Sequence, residues 1–274
     1  MPRASVRVCS IMSDLQQYHE MKRTFHDAGF RAPQTSFEVF DNLNGNRYEP
    51  YSAFSAVLKS AQEPYVAFCH QDVRLNQGDD YRTLMHRIEE LNRACPNWGV
   101  LGNAGMAPDW REIRRITDRW GTSTYAPLPA RVLSLDANFL VVNRRSGVSF
   151  TNSLSGFHFH GLDICLDAHT KGVGCYVIDF HVTHLGKGET GREFRRAKKN
   201  LEAHWGKRFS LLLVPTTCTT VVLSRYAALR KILQHPERLR LFLRYSRTRM
   251  TTELTRLMTT NDGARETDVR QPVE

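Results

Sequence analysis

The apolar positions of this chain fall into short dense runs separated by amphipathic stretches. Val6–Met12 is nearly all apolar, the pattern of a strand buried on both faces, and Ser13-Asp14 behind it is a helix-start pair. Residues 15–28 carry a helical period that closes at Gly29. Residues 36–40 form a second strand pattern and run into Asp41-Asn42-Leu43-Asn44-Gly45, a loop-forming cluster. A helix over 51–61, a strand over Tyr65–Cys69, a helix over 79–93 and a strand over Trp98–Gly102 follow. Strand and helix alternating in this way predict a mostly parallel, Rossmann-like α/β sheet flanked by helices. Ligands of such sheets sit beyond the carboxyl ends of the strands. Residues 10–14, the Asp41 loop and His70-Gln71-Asp72 all fall at that edge.

The pattern weakens over 102–129, which predicts an irregular insertion or a loop covering the site. Strand character returns over 131–143, with Asp136 set among apolar neighbours. A helix is expected to begin near Gly161, and residues 175–184 read as a last strand. Beyond Pro215 the composition turns basic, and residues 221–233 and 236–250 read as two helices parted at His235-Pro236. The expected organisation is a domain over 1–215 and a C-terminal helical extension over 216–274 whose last residues, from 259, are frayed.

Charge sharpens this division. Residues 192–250 hold 15 Lys and Arg against three acids, so this segment carries +12 of a chain total of +10 and the remainder is near neutral. Such a segment points to an anionic partner or to a solvated basic face. Leucines interleaved with its arginines fit peripheral contact with an anionic membrane. Its aromatic residues are sparse and no known nucleic-acid module is visible, so no nucleic-acid partner is expected. No run of 18 apolar residues occurs, and the N-terminus lacks the apolar segment of a secretion signal. Six scattered cysteines without a CxxC pair read as buried thiols in a reducing compartment, and a cytoplasmic location is expected.

Three polar constellations carry the candidate chemistry. Asp72, just after a buried strand, is placed either to cap a turn or to share Mg²⁺ or Mn²⁺ with substrate phosphates. His158, His160 and Asp163 fall together before a helix, where Asp163 is either a first-turn acid or a general base. His181 and His184 point to opposite faces of a regular strand, and His184 stands at its end before the flexible, cationic Gly186-Lys187-Gly188.

Read in order, Tyr65 to Val73, Trp98 to Gly105, Leu135 to Val141, Gly156 to Asp163 and His181 to Gly186 resemble the GT-A glycosyltransferases, family 2-like, in the branch of the StrF-type domain. The resemblance covers residues 5 to about 190. It implies a GT-A fold and transfer of a sugar from a nucleotide-diphosphate donor to a hydroxyl acceptor, inverting and metal-assisted. The donor would be held by Ser10, Asp14, Asp41, His70, Gln71 and Lys187. Asp72 and His184 would hold the divalent cation, Asp163 would be the catalytic base, and Asp136, His158 and His160 would line the acceptor and sugar pocket. Two departures stand out: His70 replaces the first acid of the family's DxD motif, and Ala137 stands where glycine is common. The His70 replacement also supports an alternative, a degenerate nucleotide-binding protein with a structural role.

Overall fold

The computed structural model describes residues 5–124, 127–186, 188 and 190–259. The first half alternates as its pattern demands: β1 (Val6–Met12), α1 (Leu15–Asp27), β2 (Thr35–Asp41), α2 (Pro50–Ser60), β3 (Tyr65–Cys69), β4 (Val73–Leu75), α3 (Tyr81–Ala94) and β5 (Trp98–Gly102). The helices start where side chains satisfy the free N–H groups. Asp14 accepts from the Gln17 N–H, Asp80 accepts from the Thr83 N–H, and Pro50 opens α2. Tyr18, Met21 and Phe25 of α1 and Leu84, Ile88 and Leu91 of α3 are buried at helical spacing.

Short strands follow: β6 (Ala104–Met106), β7 (Glu112–Asp118), β8 (Gly121–Thr124), β9 (Ala130–Arg131), β10 (Ser134–Leu135) and β11 (Phe139–Asn143). The chain then runs through α4 (His160–Thr170), β12 (Gly174–Val177), β13 (Val182–His184), α5 (Arg192–Trp205), β14 (Leu212–Pro215), β15 (Thr220–Leu223), α6 (Ala227–Leu233) and α7 (Pro236–Thr259).

The central sheet has the order β2-β1-β3-β11-β5-β12-β9, and five of its seven strands run in one direction, with β11 and β9 reversed. Helices α1 and α3 cover one face, and α2 and α4 cover the other, with α5 and α7 packed into the same cluster. This is the mixed α/β, parallel-rich architecture that the alternation predicts. A second, six-stranded sheet has the order β10-β6-β7-β13-β4, with β8 paired to β7.

Three expectations about local structure change. Residues 104–124 are strands of the second sheet and not an irregular loop. Only Ile113 and Ile116 of β7 are buried, so the two-residue period is faint. The stretch 175–184 divides into β12 and β13, which belong to different sheets, because Asp179 turns the chain toward Arg87 and Arg115 at 2.8 and 2.7 Å. Residues 220–223 form a strand, not the start of a helix, since Thr220, Val221 and Val222 are β-branched and the segment pairs with β14.

That β14–β15 hairpin crosses position 215 and ties the C-terminal segment to the domain. Ser134 Oγ donates to the Pro215 carbonyl at 2.8 Å, and buried Glu202 of α5 accepts from the Val222 N–H at 2.9 Å. Leu254 and Met258 of α7 enter the main core. The tail over 260–274 lies outside the described residues.

Candidate functional site

Backbone pairing brings three side chains together at the carboxyl edge of the sheet. After β3 the chain turns through residues 70–72, fixed by His70 N–H donating to the Asn138 carbonyl at 2.9 Å and Val73 N–H donating to the His70 carbonyl at 3.2 Å. β4 then pairs antiparallel with β13, with His184 opposite Val73, and Leu185 N–H donates to the Asp72 carbonyl at 3.1 Å. His184 Nε2 consequently lies 3.4 Å from Asp72 Oδ1, and His70 Nδ1 lies 4.0 Å from the same oxygen. One donor atom from each of His70, Asp72 and His184 falls within 4.8 Å of the others. The histidine just before β13 is used elsewhere: His181 bonds Asn76 and Thr117 at 3.2 and 2.9 Å.

This cluster fits a divalent cation. Donors about 2.1 Å from one ion lie at most about 4.2 Å apart, so the three need only a small closure. Gly186 completes the cradle, since a Cβ there would sit 2.6 Å from Asp72 Oδ2 and 2.8 Å from His184 Nε2. Two imidazoles and one carboxylate suit a divalent ion that accepts nitrogen ligands better than Mg²⁺, which prefers oxygen.

Electrostatics distinguish the two histidines. Burial and the charge of His184 lower the His70 pKa. Burial also acts to lower that of His184, but the Asp72 carboxylate outweighs it and the net shift is upward. Burial would raise the Asp72 carboxyl, yet the hydrogen bond and charge of His184, with His70, bring it below its ordinary value. The two are therefore mutually stabilised in their charged forms, a pair that a cation would replace.

The cluster opens into a cleft of about 490 Å³, within the range that small-molecule sites occupy. His70, Gln71, Asp72, His158, His160 and His184 all line it. Gln71 Oε1 accepts from the Ser13 and Asp14 N–H groups at 2.8 and 2.9 Å, locking the turn after β1 to the turn after β3. His160 is 1% exposed, and neither ring nitrogen has a hydrogen-bond partner among the described residues. Burial, with His70 and His158 nearby, holds its pKa down to about 3, so the ring is neutral.

Ser10, Asp14, Asp41 and Asp136 lie off the cleft wall. Ser10 is buried and donates to the Cys69 carbonyl at 2.7 Å, joining β1 to β3. The Asp14 side chain caps α1. Asp41 is exposed and accepts from Leu43 N–H at 2.8 Å within its own loop. Asp136 accepts from Asn138 N–H at 3.1 Å and from Thr217 Oγ1 at 3.2 Å. Lys187 lies outside the described residues.

Asp163 differs most from its expected place. It is 0% exposed, with Oδ1 accepting from Trp205 Nε1 at 2.7 Å and Oδ2 accepting from Thr151 N–H at 2.8 Å. Burial raises its pKa to about 6 against those two bonds. Packing from distant segments explains the placement. His160, the first residue of α4, borders the cleft, whereas α4 is buried throughout from His160 to Leu166, and the Trp205 and Thr151 donors packed against it hold the Asp163 carboxyl in the core.

The cleft also uses residues that the sequence reading passed over. Ser13, Asn42 and Asn46 stand one to five positions from the acids expected there, and Phe54 and Ile11 add an apolar wall. The loop signals at Ser13-Asp14 and 41–45 located this edge but not which side chain turns inward. Glu193, in the first turn of α5, enters the cleft from a basic segment that masks it in the sequence.

No protein-family model matches the chain. Over 212 residues it is 33% identical to the "ATP synthase subunits region ORF 6" protein of Fuscovulum blasticum, covering 74% of this chain and 84% of that one. At that identity and coverage the chain belongs to the same family, whose name assigns no reaction. Among solved structures, S. aureus TarS 1-349 in complex with UDP-GlcNAc matches with a TM-score of 0.51 at 11% identity, over 89% of this chain and 74% of that one. A second structure of TarS 1-349 matches with a TM-score of 0.46 at 12% identity, over 89% and 73%. The architecture is the GT-A fold.

Proposed function

We propose that this member of the ORF 6 family is a glycosyltransferase that takes a nucleotide-diphosphate sugar as donor and a hydroxyl group as acceptor. The observation that carries the reading is the His70, Asp72 and His184 cluster, set inside a cleft at the carboxyl edge of a GT-A sheet. The TarS structure that shares the fold is a complex with UDP-GlcNAc, which supports a donor of this class.

His70, Asp72 and His184 would hold a divalent cation, Mn²⁺ in preference to Mg²⁺. Such an ion, when bound, counters the charge of a leaving diphosphate, an effect worth several kcal/mol in general. The Ser13 hydroxyl and Asn46 offer hydrogen bonds to the nucleotide, Gln71 and Asn42 hold the two loops that carry them, and Phe54 with Ile11 offers an apolar wall for its base. The sequence resemblance to inverting enzymes implies direct displacement at the anomeric carbon. The acceptor proton then passes to a group on the cleft wall, His158 or Glu193, because Asp163 has no surface from which to reach it. A hexose donor, a polysaccharide or lipid-linked acceptor and a cytoplasmic setting complete the proposal. The six free cysteines, four of them buried, are consistent with a reducing compartment.

A donor screen tests this directly. UDP-, GDP- and dTDP-sugars are added with and without Mn²⁺ while thermal unfolding is followed. One of them at a hundred times its dissociation constant is expected to stabilise the fold by about 2.7 kcal/mol. No shift with any donor would overturn the reading. Binding without release of the nucleoside diphosphate would favour a second reading, a nucleotide-binding protein that has lost transfer, which the burial of Asp163 also supports.

A further inference from the structure

Among the described residues ten large apolar side chains are exposed, and four of them, Tyr226, Ile232, Leu241 and Tyr245, cluster in α6, α7 and the residue before them. Residues 225–249 around them hold eight Lys and Arg against the single acid Glu237. The inner side of α7 is already used: Leu239, Phe242, Leu243 and Met250 pack with Leu213 and Val222 of the hairpin. Arg238, Leu241, Tyr245 and Arg249, spaced three, four and four residues apart, form an exposed stripe on the outer side.

Beside that stripe a groove of about 720 Å³ opens between α7 and residues 208–212. Its apolar lining comes from Phe209, Leu211, Phe242 and Leu257. Exposed Arg208, Arg249 and Arg256 stand around it, with Glu253 paired to Arg256 at 3.4 Å. The groove is separate from the cleft: Glu193 reaches the cleft from one end of α5, and Arg208 follows the other end, about 21 Å away at 1.5 Å per residue.

The structure assigns this outer face of α6 and α7, with its groove, as the docking surface for an anionic phospholipid bilayer. Arginines meet the phosphates, Leu241, Ile232 and the two tyrosines enter the headgroup layer, and the groove receives an acyl chain. Charge complementarity selects this occupant. A second copy of the chain would bring the exposed Arg238 and Arg249 against their own counterparts. Nucleic acid would satisfy the arginines but leave Ile232 and Leu241 in contact with water and phosphate. An interface of phosphate over hydrocarbon satisfies both.

The test uses the full chain in sedimentation with phosphatidylcholine vesicles, with and without phosphatidylglycerol, at low and high salt. Binding is expected only with phosphatidylglycerol and is weakened by salt. The double variant Leu241→Glu with Tyr245→Glu is expected to lower the partition coefficient at least about tenfold with an unchanged melting temperature. Arg238→Glu with Arg249→Glu should produce a similar loss, since each cation near an anionic surface is worth about 1 kcal/mol, or roughly fivefold. Equal binding to neutral vesicles, no binding to either, or full binding by the Glu variants would overturn the assignment. So would a wild-type dimer dissolved by Leu241→Glu, or tighter binding to duplex DNA than to vesicles.

Discussion

Replacing Asp163 with Asn separates a structural carboxyl from a catalytic one. In the wild type both oxygens accept hydrogen bonds, from Trp205 Nε1 at 2.7 Å and Thr151 N–H at 2.8 Å. Burial raises the pKa from 3.8 to about 6. The folded state therefore binds this proton more tightly than the unfolded state. The benefit is complete below pH 3.8 and is lost as pH rises through about 6. At 1.36 kcal/mol per unit the loss is about 3 kcal/mol, to order of magnitude.

The Asn side chain has no such proton, so its contribution is flat over that window. Its amide must, however, turn NH₂ toward either the Trp205 or the Thr151 donor. One buried donor then goes unsatisfied, at a cost of about 1–3 kcal/mol. The variant should be less stable than wild type at pH 4, and the gap should close by about 2–3 kcal/mol at pH 7. Urea unfolding at both pH values measures this. Parallel stability profiles would refute the buried, protonatable Asp163. Activity gives the second arm: transfer per folded molecule should stay within a few-fold of wild type, whereas losing a general base costs a factor of about 10²–10⁴.

Other outcomes follow from the cleft. Gly186→Ala places a methyl 2.6 Å from Asp72 Oδ2, so Mn²⁺-supported nucleotide binding, read by calorimetry, should weaken at least tenfold with little change in melting temperature. Gln71→Ala frees the Ser13 and Asp14 N–H groups, and donor affinity should fall several-fold while α1 stays folded by circular dichroism. His160→Phe removes two unpartnered nitrogens from a buried site and should leave the protein as stable or slightly more stable in urea unfolding. Separate His158→Ala and Glu193→Gln variants, assayed for transfer, assign the proton acceptor to the one that loses about a hundredfold or more.

The strands and helices of the first hundred residues were legible because β1, β3 and β5 are buried on both faces and read as continuous apolar runs. The carboxyl edge was legible for the same reason, since Ser13-Asp14 and His70-Gln71-Asp72 end those runs. What escaped depends on pairing between distant segments. The second sheet is built from strands of two to seven residues whose partners lie up to about 110 positions away, so β13 and β4 carry no local mark of one another. That pairing brings His184 to Asp72, which only the family resemblance anticipated, and nothing near His70 shows that its ring joins them. Asp163 shows the opposite case. Its sequence position before an apolar helix fits both a capping acid and a base, and only Trp205, 42 residues on, settles its surroundings.

The most direct measurement is calorimetric binding of Mn²⁺ and of UDP, GDP and dTDP, each alone and each in the presence of the other, for wild type, Asp72→Asn and His184→Ala. The cluster of His70, Asp72 and His184 predicts that the ion and one nucleoside diphosphate tighten each other's binding by the same factor, as linkage requires. Both variants should lose that coupling while remaining folded. A nucleotide that binds equally well with and without Mn²⁺, in wild type and variants alike, would contradict it.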